Sequence, residues 1–152
     1  MANESNASSE IAIIVERYSE QIKHEMKSRS YRVANELRNK AQLVLRGQRH
    51  GRRYRKPNTR AYYTASAPGE PPAMRTGTFR ASWQPKTYVE GTEGTYSVRS
   101  AINSNVRTEE GEHLLGEILE HGTRRIAPRP YQEQILEKGR KEALRIYKEP
   151  YL

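Results

Sequence analysis

The chain has no cysteine, which excludes disulfides and thiolate metal sites and points to a reducing compartment. It has no aspartate either: all 18 acidic residues are Glu. Two-metal nucleases and nucleophile relays usually lean on Asp as ligand or orienting group, so those reaction classes lose support. Apolar residues are scarce, at 34% with one Phe and one Trp, and mean hydropathy is −1.00. No apolar run reaches the roughly 18 residues that a membrane span needs. Residues 1–6 have neither the basic start nor the apolar centre of a signal peptide. The expectation is a soluble protein of a reducing cytoplasm, with no membrane partner. At 152 residues it is long enough for a single domain, 1–152, with one modest core. So little apolar material leaves extended polar parts, or surfaces that wait for a partner.

Positive charge is abundant. There are 27 Lys and Arg against the 18 acids, for a net charge of +9. Nineteen of the 27 are Arg, the side chain whose planar fork suits carboxylates and phosphates. Seven basic residues and no acid fall in 46–60: Arg46, Arg49, Arg52, Arg53, Arg55, Lys56 and Arg60. Two Gly and one Pro interrupt this run, so a long irregular loop is expected, continuing through the Pro-rich residues to 72. Loops of that length in compact domains are functional or disordered, and 46–72 is read as an arm that orders on assembly. Tyr54, Tyr62 and Tyr63 lie within it. Three readings stay open at this point: contact with a phosphate backbone, with the tyrosines stacking on bases; pairing with acidic surfaces of neighbouring subunits; or a solvated flexible loop.

Hydrophobic periodicity places the regular elements. Ile11, Ile14, Val15, Tyr18, Ile22, Met26, Val33, Leu37, Ala41, Val44 and Leu45 recur at steps of three and four, and no Pro or Gly intervenes before Gly47. This predicts one amphipathic helix from Ser9, capped by Ser8 or Ser9, after a frayed segment 1–8. Arg29 and Ser30 interrupt the stripe and mark a soft spot, where a break into a hairpin is the alternative. An unbroken helix is about 55 Å long, longer than such a domain is wide, so one end projects or bends. A projecting end is a natural contact arm. Further on, Lys86–Glu90 and Thr95–Ala101 read as strands of a hairpin turning at Gly91–Gly94, with Tyr96, Val98 and Ser100 inward. A short helix over Glu112–His121 carries Leu114, Leu115, Ile118 and Leu119 on one face. A last helix over Pro130–Lys148 ends at Pro150. The fold class is α+β: a long N-terminal helix and a C-terminal helix packed on a small antiparallel sheet, with a long basic loop.

Two segments carry more information than composition does. The first is Ala67-Pro68-Gly69-Glu70-Pro71-Pro72-Ala73-Met74-Arg75-Thr76-Gly77-Thr78-Phe79-Arg80-Ala81-Ser82-Trp83. Here a stiff extended run ends at Thr76, a good N-cap residue, and a helical turn sets Phe79, Ser82 and Trp83 on one face. The second is Leu119-Glu120-His121-Gly122-Thr123 followed by Ala127-Pro128-Arg129-Pro130-Tyr131. Gly122 ends the short helix as a left-handed cap residue does, and Pro-Arg-Pro leads in extended form to the last helix. This order resembles the small neck proteins of long-tailed bacteriophages, also called head–tail joining or tail-completion proteins. In that family a long first helix leads to an APGEPP…TGxLRxS segment, a strand pair, an hGT turn and an xPRPF segment. Phe79 stands where Leu is usual and Tyr131 where Phe is usual. The resemblance covers roughly residues 10–148. It implies a structural virion protein of the neck, a ring joining the DNA-filled head, on the side of the portal and head-completion protein, to the tail terminator or tail tube. Sixfold symmetry is implied only because the tail tube is sixfold. Genomic DNA runs through such a ring and is a possible contact.

Catalytic and metal readings are weaker. His113, Glu117 and His121 lie at i, i+4 and i+8, a spacing that puts ligand atoms on one helical face and suits zinc or nickel. The His-Glu-x-x-His arrangement is absent, however, and no independent further ligand stands out. A solvated polar face is the preferred reading, and neither a metal nor a cofactor is expected. Ser66 and Ser82 lack a nucleophile elbow, and no Gly-rich phosphate cradle precedes a helix, so the chain reads as a non-enzyme. Arg124, Arg125 and Arg129 sit just before a helix N-terminus, where the dipole prefers anions. Glu109, Glu110 and Glu112 offer a complementary acidic patch, and a head-to-tail ring pairing the two is the expectation. The core candidates are Phe79, Trp83, Leu115, Ile118, Leu119 and Tyr131. The alternative functions are a small basic nucleic-acid-binding accessory protein and a tail-terminator ring protein.

Overall fold

The structure, a computed structural model, describes residues 2–151. Helix α1 runs unbroken over Ala2–Arg46, about 67 Å at 1.5 Å per residue. It begins seven residues before the expected Ser9 start, so residues 2–8 belong to it and neither Ser8 nor Ser9 is its cap. The soft spot does not break it, because Arg29 and Ser30 turn inward and are buried. The Arg29 guanidinium bonds Glu25 Oε1 at 2.9 Å and the carbonyls of Glu149 and Pro150, and lies 3.9 Å from the centre of the Tyr151 ring. Ser30 Oγ meets Ser100 Oγ at 2.9 Å. Each polar group that fills the stripe therefore has a partner, which is the condition for burying it without a large penalty.

The main antiparallel ribbon is formed by β3 (Gln84–Thr92) and β4 (Thr95–Asn103), after a small hairpin of β1 (Arg53–Arg55) and β2 (Tyr62–Thr64). Thr92 pairs with Thr95 across a two-residue turn in which Gly94 has φ +87°. Tyr96, Val98 and Ser100 are the inward, half-buried positions, as their alternation predicts. The ribbon lies along α1. Ser100 meets Ser30, and near the ribbon's tip Lys23 stands over the Tyr96 ring. Short helices α2 (Thr78–Ala81) and α3 (Leu115–His121) precede the last helix, α4 (Gln132–Tyr147), which packs chiefly on α1. At that crossing Gly139 lets the helices approach closely: a Cβ there would stand 2.7 Å from Leu37 Cδ2, so the Leu37 side chain would have to shift. The α+β arrangement thus has α1 as its spine, with the ribbon and α4 both laid against its C-terminal two-thirds.

The core follows from this geometry. Val33, Leu37, Ala41, Val44 and Leu45 of α1 cluster with Trp83, Tyr131, Ile135 and Ile146. Phe79 and Leu119 are half-buried against them. Leu115 and Ile118, also expected in the core, are only half-buried and lie outside that cluster. The stripe of α1 itself is straight. Ile11, Ile22, Val33 and Val44 follow at intervals of eleven residues, close to three turns, so they share one face. That face is covered at Val33 and Val44 and bare at Ile11, which is 61% exposed.

Candidate assembly surfaces

The basic segment is not the irregular loop expected. Arg53 pairs with Thr64, Tyr54 with Tyr63 and Arg55 with Tyr62. Bonds from Gly51 N to Ala65 O (2.9 Å) and from Ala65 N to Arg52 O (2.8 Å) extend the ladder at its base. The turn signals Pro57-Asn58 sit at the tip, where Asn58 takes φ +53° and Arg55 Nε donates to Thr59 O at 2.8 Å. Gly and Pro therefore punctuate a hairpin rather than prevent one. Opposed residues of an antiparallel pair share a face. One face carries Arg53, Arg55 and Tyr62, with Arg53 4.7 Å from the centre of the Tyr62 ring. The other carries Arg52, Tyr54 and Tyr63, with Arg52 5.8 Å from the Tyr54 ring and the two tyrosine rings 6.0 Å apart. Arg46, at the end of α1, and Arg60, at the tip, are exposed, while Lys56 is half-buried.

Arg49 is the exception in the basic set, and its expected outward role is corrected. It is half-buried and turned inward: Nη2 donates to Val44 O at 2.8 Å and to Pro72 O at 3.1 Å, and Nε to Pro72 O at 3.2 Å. It gives the Val44 carbonyl, which accepts only weakly from Gly47 N at 3.4 Å, a shorter bond and straps the Pro-rich segment to the end of α1, while burial pushes its pKa down. Glu70 completes the strap. Its carboxylate accepts from the amides of Ala67 (2.8 Å) and His50 (3.0 Å), and His50 Nδ1 lies 2.6 Å away. The Ala67 and His50 amides, then the His50 ring, lower the Glu70 pKa to about 2. Close backbone approach fixes Gly51, where a Cβ would stand 2.5 Å from Ala65 O.

The two motif-bearing segments meet in one aromatic joint. Phe79, Trp83 and Tyr131 stack edge to face in a triangle, with centroids 5.5, 5.7 and 5.8 Å apart. Such pairs contribute about 0.5–1.5 kcal/mol each beyond their buried area. Tyr131 is 1% exposed and its hydroxyl donates to Gly116 O at 3.0 Å. Burial pushes its pKa up to about 12. Glu120 Oε2 accepts from the amides of Tyr131 (2.9 Å) and Gln132 (3.2 Å), capping α4 from another helix. Thr76 is not the side-chain cap of α2. That position is Gly77 at φ +88°, and Thr76 Oγ1 instead accepts weakly from Thr78 N at 3.4 Å. Gly122 ends α3 as expected, but at φ +73°, ψ −174°, outside the left-handed helical well, in a region essentially restricted to glycine.

Arg124 and Arg125 are exposed and Arg129 is half-buried. None of the three has an ion-pair partner among the described residues. Glu109, Glu110 and Glu112 stand exposed on a tight loop closed by Thr108 N to His113 O at 3.0 Å. His113 lies on that loop before α3 starts, so the one-face arrangement of His113, Glu117 and His121 is not formed. No group of three or more His, Cys, Asp or Glu suited to a metal occurs among the described residues. No helix among them is long and apolar enough to cross a membrane. Sequence reasoning missed Arg29, Glu70, Gly116 and Glu120, all of whose roles depend on partners distant in sequence. Local signals exist only for Glu70, since Ala67 lies three residues before it, and for Arg29, since Glu25 lies one helical turn before it.

No protein-family model, curated protein or solved structure matches the chain.

Proposed function

We propose that the protein is a structural component of a bacteriophage virion: a subunit of a ring in the neck that joins the DNA-filled head to the tail tube. The observation that carries this reading is the meeting of the two segments on which the neck-family resemblance rests. Phe79 and Trp83 from the first and Tyr131 from the second build one joint, with Glu120 and Gly116 beside it. The motifs thereby make sense as parts of a single framework. That framework displays elements suited to contact rather than turnover: a long helical arm, an Arg/Tyr hairpin, and separate Arg and Glu loops. The work of such a protein is assembly, with self as first partner, the head-completion or portal side above and the tail terminator or tail tube below.

The test is electron microscopy of particles from the parent phage with this gene deleted. Full heads and separate finished tails are the expected result. Normally joined virions overturn the reading.

A second reading, a nucleic-acid-binding accessory protein, is favoured by one specific feature. No acidic residue occurs from 37 to 69, and within that span the hairpin exposes Arg and Tyr on both faces. This arrangement suits a phosphate backbone with bases stacked on aromatic rings. Duplex binding of micromolar affinity or tighter at physiological salt, falling steeply as salt rises, is what that reading requires. In the ring reading the same hairpin faces genomic DNA or an acidic neighbour.

A further inference from the structure

Toward its N-terminus α1 continues past the β3–β4 ribbon: residues 2–20 extend for roughly 28 Å, the side chains of 6–18 are all exposed, and Ile11, Ile14, Val15 and Tyr18 are each at least half exposed. This bare stripe continues the face that, further along α1, is buried against the molecule's own ribbon and α4. A second apolar surface lies elsewhere on the molecule. Next to its buried row, α4 presents Leu136, Ala143, Leu144 and Tyr147 along a trough of about 660 Å³ that Leu37 of α1 helps to line. Leu136 is 59% exposed and Leu144 47%. The trough shares Leu37 and Leu136 with the cleft running to Trp83 and Ile102, so it prolongs the existing α1–α4 interface. The exposed stripe from Ile11 to Tyr18 spans about 10 Å of helix, within the roughly 16 Å from Leu136 to Tyr147.

We propose that the arm of one subunit, residues 2–20, lies in the α4 trough of a second copy, repeating between molecules the α1–α4 contact made within each. Charge selects this pairing over two arms side by side. The arm holds four of the 18 Glu but only one of the 27 Lys and Arg. Two arms therefore repel, whereas α4 carries four cations against three Glu, with Glu133 and Glu137 lining the trough beside Arg140, and the rest of any other copy is strongly basic, so an arm is attracted. The same excess of acid excludes nucleic acid as the arm's partner. Because arm and trough are different surfaces, the contact is head to tail, the type that closes into a ring when the rotation allows. This inference rests on the reading of the protein as a ring subunit and names the surfaces that build the ring.

The test is sedimentation velocity on the full chain and two variants. One carries Ile11→Glu with Val15→Glu, the other Leu136→Glu with Leu144→Glu. All four side chains are exposed in the single subunit, and unchanged helical circular dichroism verifies folding. The wild type is expected to sediment as an oligomer and each variant as a 17.6 kDa monomer. A one-to-one mixture of the variants should form a species of two chains and no larger, since it offers one intact arm and one intact trough. Variants that assemble like the wild type overturn the docking and leave the ring reading standing. A trough variant that dimerises alone also overturns it, because the arms then pair with each other. A wild type that stays monomeric at several hundred micromolar overturns the docking and removes self-association from the ring reading too.

Discussion

Arg29 shows how a residue that looks like an interruption becomes part of the core. A charged side chain at 1% exposure persists only where its donors are matched. Here they are, by the carboxylate of Glu25, two carbonyls near the C-terminus and the face of Tyr151. The group ties the last residues of the chain to the middle of α1. Arg29→Ala removes all of these contacts and leaves two carbonyls without their donor, so it should destabilise the fold by about 3 kcal/mol. Arg29→Lys keeps the charge but loses the fork and the stacking plane, and should cost about half as much. Urea unfolding of the three proteins checks the order. Tyr131 makes a related point. Its ring fills the aromatic joint, and its buried hydroxyl donates to the carbonyl of Gly116.

At the scale of elements, the hairpin is held at its base rather than along its strands. Strand β1 is exposed throughout, and a two-stranded hairpin alone is marginal in water. The fixing points are Arg49 on Val44 and Pro72, and Glu70 on His50 and Ala67. The Glu70 contribution depends on pH in a defined direction. Its folded pKa is depressed from 4.5 to about 2, so its stabilising effect is fully present above 4.5. The effect is lost as pH falls from there through about 2. Carboxyl titration by nuclear magnetic resonance should give Glu70 a midpoint near 2, with the His50 and Ala67 amide signals moving in step. A midpoint at the ordinary value, or amides that do not follow it, would refute the anchor. Glu70→Gln should loosen the hairpin at neutral pH while leaving the aromatic joint intact.

For the whole molecule, the distribution of surfaces matters more than any single site. The arm, the trough, the basic hairpin, the exposed Arg124 and Arg125 and the acidic loop of Glu109, Glu110 and Glu112 are distinct features on one small body. In the ring proposed above, the exposed Arg124 and Arg125 of one subunit would meet Glu109 and Glu110 of its neighbour, Glu112 already lying 3.9 Å from His113 Nε2. Swapping Arg124 and Arg125 to Glu should block ring closure, seen as open or smaller assemblies by negative-stain microscopy. Compensating Lys at Glu109 and Glu110 should restore it. Unchanged rings from the Arg variant would refute this pairing without touching the arm and trough.

The sequence by itself determined the elements whose cause is local. A three-four stripe with no Pro or Gly before Gly47 makes α1, alternation over 95–101 with turn residues at 91–94 makes the ribbon, and Phe79 and Trp83 lie four apart, although Trp83 falls just past the end of α2. It also determined that an unbroken α1 would be longer than the domain is wide, since length times rise is arithmetic, while the structure decided that it neither bends nor breaks at Arg29. Tertiary structure decided everything that needs a partner far along the chain. Arg29 reads as a gap until the C-terminal carbonyls reach it, and Arg49 reads as one more exposed cation until Val44 and Pro72 stand beside it. Residues 53–64 read as a loop because Gly and Pro mark breaks without saying which strands close across them. The reason is common to all three: propensity and periodicity act over a few residues, while burial and hydrogen bonding are settled where distant segments meet.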